Sequence, residues 1–179
     1  DFFEIHETGM SLINLPTGFP RSTLAHKIWF KIYIPMKIFK EKAQWIDIID
    51  PTPADIQELK KIHSFHPIIL DELLQASVRS RVESYDDYLY LTYHLPLYDP
   101  VQRTSLRAEI DFLITKDTVI TVRSKGIEPL DTFEDLLGNS LFRERVLGKS
   151  SLFTAYHLLE AIVTFSLRQL RHIEENIAT

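Results

Sequence analysis

The sequence contains no cysteine. That absence removes disulfides, cysteine-ligated zinc and thiol nucleophiles together, and makes a cytosolic address the simplest reading. Glycine is scarce too, with five residues in 179. Loops that cradle phosphate need several glycines close together, so a P-loop or a dinucleotide fingerprint is excluded. No apolar run approaches the roughly 18–20 residues of a membrane span. The opening DFFEIHETGM is acidic and lacks the continuous apolar core of a signal peptide. Positive charge is not concentrated anywhere, and the net charge is −5, so nucleic acid is not an expected partner. A Gly-x-Ser-x-Gly elbow is also missing, and nothing calls for an enzyme.

What is present suits a folded domain. The chain is 45% hydrophobic and 25% charged, with eleven Phe, seven Tyr and two Trp, enough apolar surface for a core. A mild acidic excess fits a soluble surface, or one that meets cations.

Strands and helices alternate along the chain, an α/β pattern. Residues 1–15 read as a short strand or strand pair broken near Gly9, and PTGFPRST at 16–23 as a loop. Over 27–39, Ile28, Phe30, Ile32 and Ile34 alternate with Trp29, Lys31 and Tyr33, and Pro35 should break that strand or place it at a sheet edge. A second strand at 43–51 runs into a turn at Asp50-Pro51. Thr52, Pro53 and Asp55 then write a capping box for a helix with Ile56, Leu59 and Ile62 on one face. Pro67 starts another helix. Residues 78–85 and 87–98 are strand-rich, with Asp86-Asp87 as the turn between them and Pro96 as the close. Residues 109–124 read as a hairpin around Lys116-Asp117, and 128–138 as a helix stopped by Gly138. RERVLGKSS at 143–151 reads as a small, solvated basic cluster. From about Ser150 onward neither Pro nor Gly interrupts the chain. Leu152, Tyr156, Leu159, Val163, Ser166, Leu170, Ile173 and Ile177 recur at heptad spacing, which predicts a helix of about 28 residues and, with no stop signal, a chain that continues past Thr179.

The candidate chemistry is acidic. HPIILDELL, residues 66–74, sets Asp71 and Glu72 side by side in an apolar run. Ile69, Leu70, Leu73 and Leu74 form the stripe to be buried. Near a helix start the two carboxylates would be favoured by the dipole as solvated acids. The sharper alternative is a carboxylate patch for a hard divalent cation. Adjacent helical residues point roughly 100° apart, so the pair would need further oxygen ligands from another segment or subunit. His63 and His66 form His-x-x-His, a spacing that can serve zinc, but Pro67 should break the helix between them.

Four stretches, WIDIIDPTPADIQELKKIHSFHPIILDELL, RSRVESYDDYLYLTYHLP, EIDFLITKDTVITVRS and SLFTAYHLLEAIVTFSLRQLRHIEENI, together resemble the cytoplasmic domain of the CorA family of divalent-cation transporters. Their succession, over about residues 45–178, carries the likeness; residues 1–44 match poorly. The resemblance implies a mixed sheet in a layered helix–sheet–helix domain over 1–148. It also implies a long C-terminal helix from 149–179, leading toward a membrane part absent from this chain. It implies a homopentamer, membrane contact only through those absent spans, and a place on the cytoplasmic side of the inner membrane. The family's Gly-Met-Asn pore motif is missing; Gly9-Met10-Ser11 is not it. The implied function is a regulatory, cation-sensing domain with Mg2+ bound between subunits by Asp71 and Glu72 and by Glu160 of the long helix. The alternatives are the zinc-transporting branch of the family, with His63, His66 or His157 as zinc ligands, and a soluble domain whose heptad helix docks a partner.

Overall fold

β-branched residues crowd one short strand, TVITVR, and all six of its side chains are buried. A strand apolar on both faces belongs at the centre of a sheet covered on both sides, and that is where it lies. The computed structural model describes residues 36–99, 101–102 and 104–177, with side chains up to residue 175. The strand and loop expected over 1–23, and the first part of the strand expected over 27–39, lie outside the described residues.

The strands are β1 (Met36–Lys40), β2 (Gln44–Ile49), β3 (Arg81–Ser84), β4 (Tyr88–Asp99), β5 (Thr104–Thr115) and β6 (Thr118–Arg123). They form one sheet in the order β1-β2-β6-β5-β4-β3. β2 and β6 run parallel, and the other neighbours are antiparallel. β1 starts directly after Pro35 and occupies a sheet edge, as a strand entered through proline should. The Asp86-Asp87 turn is closed by Tyr85 N–H donating to Tyr88 O at 2.9 Å. Pro96 does not end β4. The strand continues to Asp99 because Pro96 sits where β5 alone flanks it, opposite Arg107, and its missing N–H costs no ladder bond to β3, which pairs only with 89–92.

Helices α1 (Pro53–Ile62) and α2 (Pro67–Glu72) cover one face. The α1 capping box forms as written: Thr52 N–H donates to Asp55 Oδ2 at 2.8 Å, and Thr52 Oγ1 accepts from Asp55 N–H at 3.4 Å. Ile56, Leu59, Ile69, Leu70 and Leu73 pack on Ile46, Ile48, Leu113, Ile120 and Val122. Ile62 and Leu74, expected in the same stripe, are exposed, because each helix ends before its last turn can lie on the sheet.

Helices α3 (Glu128–Leu136), α4 (Ser140–Leu147) and α5 (Ser151–Ile177) cover the other face. The segment read as a solvated basic cluster is instead largely α4. Asn139 Oδ1 caps it by accepting from Leu141 and Phe142 N–H at 3.0 and 3.1 Å, and Val146 and Leu147 are fully buried. Gly148 ends it where no side chain fits: a Cβ there would lie 2.1 Å from Glu144 O. The long helix has nearly the expected length, but the heptad seam is not its core face. Leu152, Tyr156, Val163 and Leu170 are exposed, whereas Thr154, Ala155, Leu158, Ile162, Phe165 and Ser166 are buried against the sheet and α3–α4. The seam is a second apolar stripe. Ser166, the one residue that broke it, is buried, its hydroxyl donating to Ile162 O at 2.9 Å.

One buried ion pair ties this layer to the sheet. Arg123 and Asp47 have fully buried side chains 2.7 Å apart, and Arg123 reaches Asp131 of α3 at the same distance. Thr121 donates to Asp47 Oδ1 at 2.5 Å, and Trp45 Nε1 donates to Thr121 at 2.9 Å. Every lone pair that burial would orphan has a partner, the condition under which a buried pair survives.

Candidate cation site

Two turns are all that HPIILDE can form before Leu73 closes the helix, and this decides where its acids sit. Pro67 takes the first position, and His66 Nδ1 accepts from Ile68 N–H at 3.3 Å as the cap. Asp71 and Glu72 are therefore the last two residues of α2, not its opening turn. A carboxylate there meets the negative end of the helix dipole, so the stabilisation expected from an N-terminal position does not apply.

Each acid meets a different environment. Asp71 is exposed, and its side chain makes no ion pair among the described residues. Glu72 is bound by Arg81 Nη2 of β3. Arg81 Nε also lies 2.7 Å from Glu83, and its guanidinium covers the Tyr90 ring at 5.1 Å. Burial works against that charge, but Tyr90, Glu72 and Glu83 outweigh it and raise the Arg81 pKa. Tyr85 donates to Glu83 at 2.9 Å; its partial burial, then that bond, push its phenol up to about 12. Glu72, Arg79, Arg81, Glu83, His66 and Tyr85 line most of an open depression of about 350 Å³, from which Asp71 is absent.

Glu160 lies elsewhere. It is on α5, across the sheet from α2, held by Tyr156 Oη at 3.3 Å and His157 Nδ1 at 3.2 Å. One chain therefore brings Asp71 and Glu72 together but not Glu160. Among the described residues no group of three His, Asp or Glu side chains is arranged so that it could hold a metal ion. The donor set is nonetheless right for Mg2+, since carboxylate oxygens are its preferred protein ligands and it keeps several waters. For zinc the fit is poorer. The helix does break between His63 and His66: His63 pairs with Asp87 at 3.0 Å and packs on Phe65 and Tyr88, while His66 caps α2.

Arg81 was not legible as a partner of Glu72. It stands nine residues away in sequence, beyond any helix spacing, and only the return of the chain into β3 brings it back. A second polar group leaves a signal in the sequence. EIDFLI and YLYLTYHL place Glu109, Asp111 and His94 inside apolar strands, and a charged residue in such a strand demands a partner. Asp111 is 4% exposed and accepts from Tyr90 and Thr92 hydroxyls at 2.9 and 2.8 Å. Glu109 accepts from Ser77 N–H at 2.8 Å and meets His94 Nε2 at 2.9 Å.

Known proteins place this geometry in context. Residues 40–179 match a family model described as CorA-like Mg2+ transporter protein. A cobalt/magnesium transport protein CorA of Thermotoga maritima is 22% identical over 134 residues, 74% of this chain and 38% of that protein. The complete CorA magnesium transporter of Methanocaldococcus jannaschii superposes with a TM-score of 0.62 at 23% identity, over 78% of this chain and 43% of that one. The ZntB cytoplasmic domain of Vibrio parahaemolyticus superposes at 0.56 and 18% identity, over 76% and 54%. The chain thus spans well under two thirds of the relatives it matches. No described helix is long and apolar enough to cross a membrane.

Proposed function

The chain belongs to the family of CorA-like Mg2+ transporter proteins, and from that premise we propose that it is the cation-sensing regulatory domain of a divalent-cation transporter. Mg2+ is the cation the donor set favours. Asp71 and Glu72 of one subunit supply ligands at a subunit interface, and a neighbour's long helix supplies Glu160. A homopentamer on the cytoplasmic side of a membrane is the assembly that fits this role. The carrying observation is Asp71: an exposed carboxylate without an ion pair among the described residues, beside a second carboxylate whose partner is an arginine it can exchange.

The physical logic is a population shift. A cation bridging carboxylates of two subunits stabilises the closed assembly; when it leaves, those carboxylates repel and the open form gains. Zinc has less support, because His63 and His66 point to separate structural tasks.

The test uses the full-length assembled protein. Millimolar Mg2+ is expected to protect it from heat or proteolysis, since a ligand at about 100 times its dissociation constant adds roughly 2.7 kcal/mol. Asp71→Asn with Glu72→Gln should remove much of that protection, while in the absence of Mg2+ it costs at most about 1 kcal/mol from the lost Arg81 pair. Full protection in the double variant would sink the site assignment and leave family membership intact.

A further inference from the structure

The connector from α2 to β3, residues 73–80, ends on an exposed serine, Ser80. It is tied to β4 and β5 at three points. Ser77 N–H donates to both Glu109 oxygens at 3.0 and 2.8 Å, Arg107 donates to the carbonyls of Ser77 and Val78 at 3.4 and 3.1 Å, and Ser80 Oγ meets His94 Nδ1 at 3.0 Å. Glu109 stands directly opposite His94 in the β4–β5 register, and His94 Nε2 lies 2.9 Å from Glu109 Oε2. Ser80, His94 and Glu109 therefore form one hydrogen-bonded line. It runs from an exposed hydroxyl, through an imidazole at 11% exposure, to a carboxylate at 15%.

The partners fix the role of each atom. A carboxylate only accepts, so the imidazole nitrogen facing Glu109 carries the hydrogen, and in the neutral ring Nδ1 keeps a lone pair. His94 N–H donates to Ser80 Oγ at 3.2 Å, so the serine's own hydrogen is the one left for Nδ1. The same amide would stabilise negative charge developing on Oγ. A nucleophile, a base within hydrogen-bond reach and a third group orienting that base make the arrangement that activates a serine. His94 also lines an open depression of about 260 Å³ together with Pro96, Leu106 and Arg107. Its apolar side chains offer a place for a short acyl chain.

We propose that Ser80 is an acylation site whose acyl donor is an activated carboxylic ester. Ser80 Oγ attacks the ester carbonyl carbon while His94 Nδ1 takes the hydroxyl proton. The C–O bond to the leaving group then breaks, and the proton passes from His94 to the departing oxygen. One Oγ–C bond replaces one C–O bond, and nothing is oxidised or reduced. His94 is the base, and Glu109 is its positioning residue. An acylated Oγ has no hydrogen to give to Nδ1, so the acyl group also removes one of the three ties of the connector, at the residue preceding Arg81. A tie of purely structural purpose would use the same three side chains and leave Ser80 as unreactive as any exposed serine. The proposal stands independently of the cation reading.

Treating the folded chain with p-nitrophenyl butyrate and following acylation site by site with tandem mass spectrometry tests it. Ser105, exposed on β5, is the internal reference. Ser80 should acylate about 100-fold faster than Ser105 or more, since a positioned base contributes roughly 10²–10⁴. His94→Gln should bring Ser80 down to the rate of Ser105. Glu109→Gln keeps an oxygen that can accept from Ser77, but its NH2 can donate to Nε2 and leave the hydrogen on Nδ1, the tautomer that cannot accept from Ser80. In that variant the rate at Ser80 should fall at least about tenfold while Ser105 is unchanged, a split that a merely structural partner would not produce. Equal rates at Ser80 and Ser105 in the wild type, or an undiminished preference for Ser80 in either variant, would overturn the proposal. Should the variants not fold, the wild-type ratio decides alone: a value near one refutes an activated serine, and one of about 100 or more supports it.

Discussion

Arg81 decides how available Glu72 is to a cation. With Glu72 as the proposed Mg2+ ligand, the guanidinium and the cation would compete for the same carboxylate, and each would weaken the other by linkage. The side chains of Arg81 and Glu72 are 22% and 37% exposed, which places the pair among partly screened contacts of about 1 kcal/mol or less. Arg81→Gln should therefore lower the Mg2+ concentration that gives half-maximal protection of the full-length protein, by up to about fivefold. Arg81→Lys, which keeps the charge, should stay close to wild type. An unchanged midpoint in Arg81→Gln, measured by protease resistance against Mg2+, would mean that Arg81 and Mg2+ do not compete for Glu72. At this scale the sequence was partly readable. Asp47 in WIDII and Asp111 in EIDFLI announce buried acids, yet their partners, Arg123 at 2.7 Å for Asp47 and the Tyr90 and Thr92 hydroxyls at 2.9 and 2.8 Å for Asp111, arrive through strand register, which pattern alone does not supply.

Elements were more legible than contacts. The capping box at Thr52 and Asp55, the Lys116-Asp117 hairpin and the length of α5 all follow from local chemistry that tertiary context left undisturbed. α5 shows where periodicity runs out. The helix has two apolar stripes, and spacing cannot say which one the sheet covers. The heptad stripe was the more regular of the two, but Thr154, Ala155, Leu158, Ile162 and Phe165 are the ones buried. Small Ala155 and hydrogen-bonded Thr154 let the helix approach the sheet, and neither belongs to a pattern of large apolar residues. Thr154 Oγ1 donates to Val146 O at 3.0 Å. Two alanine substitutions separate the stripes. Leu158→Ala, at 0% exposure, should cost about 2–5 kcal/mol in a denaturant titration of this chain. Leu152→Ala, at 61% exposure, should stay within about 0.5 kcal/mol. Equal costs would mean that the heptad stripe also packs. Cutting the chain at Gly148 should lower the melting temperature, because the remainder would expose the core that α5 covers.

The described residues layer α1–α2, a mixed sheet and α3–α5, and each of the two cores holds a buried acid. On the α5 side, Asp47 is paired with Arg123 and fully buried. On the α2 side, burial raises the Asp111 pKa to about 6 from an ordinary 3.8, although the Tyr90 and Thr92 hydroxyls that donate to it favour its charged form. A raised acid binds its proton more tightly in the folded state than in the unfolded one. The stabilisation it brings is therefore complete below about pH 4 and is lost as pH climbs through about 6. The loss is of order 2–3 kcal/mol, because each tenfold gain in proton affinity is worth about 1.4 kcal/mol. The raw stability profile will not isolate this, because every titratable group of the chain contributes to it. The difference between wild type and Asp111→Asn isolates it, since the other groups are common to both. Asparagine carries no titration, so the variant should gain on wild type as pH rises from 4 to 7 and hold a constant lead above that. Urea unfolding at a series of pH values measures the difference directly. A difference that does not change across the window would mean that Asp111 is ionised in the folded state throughout, the Tyr90 and Thr92 hydroxyls offsetting its burial.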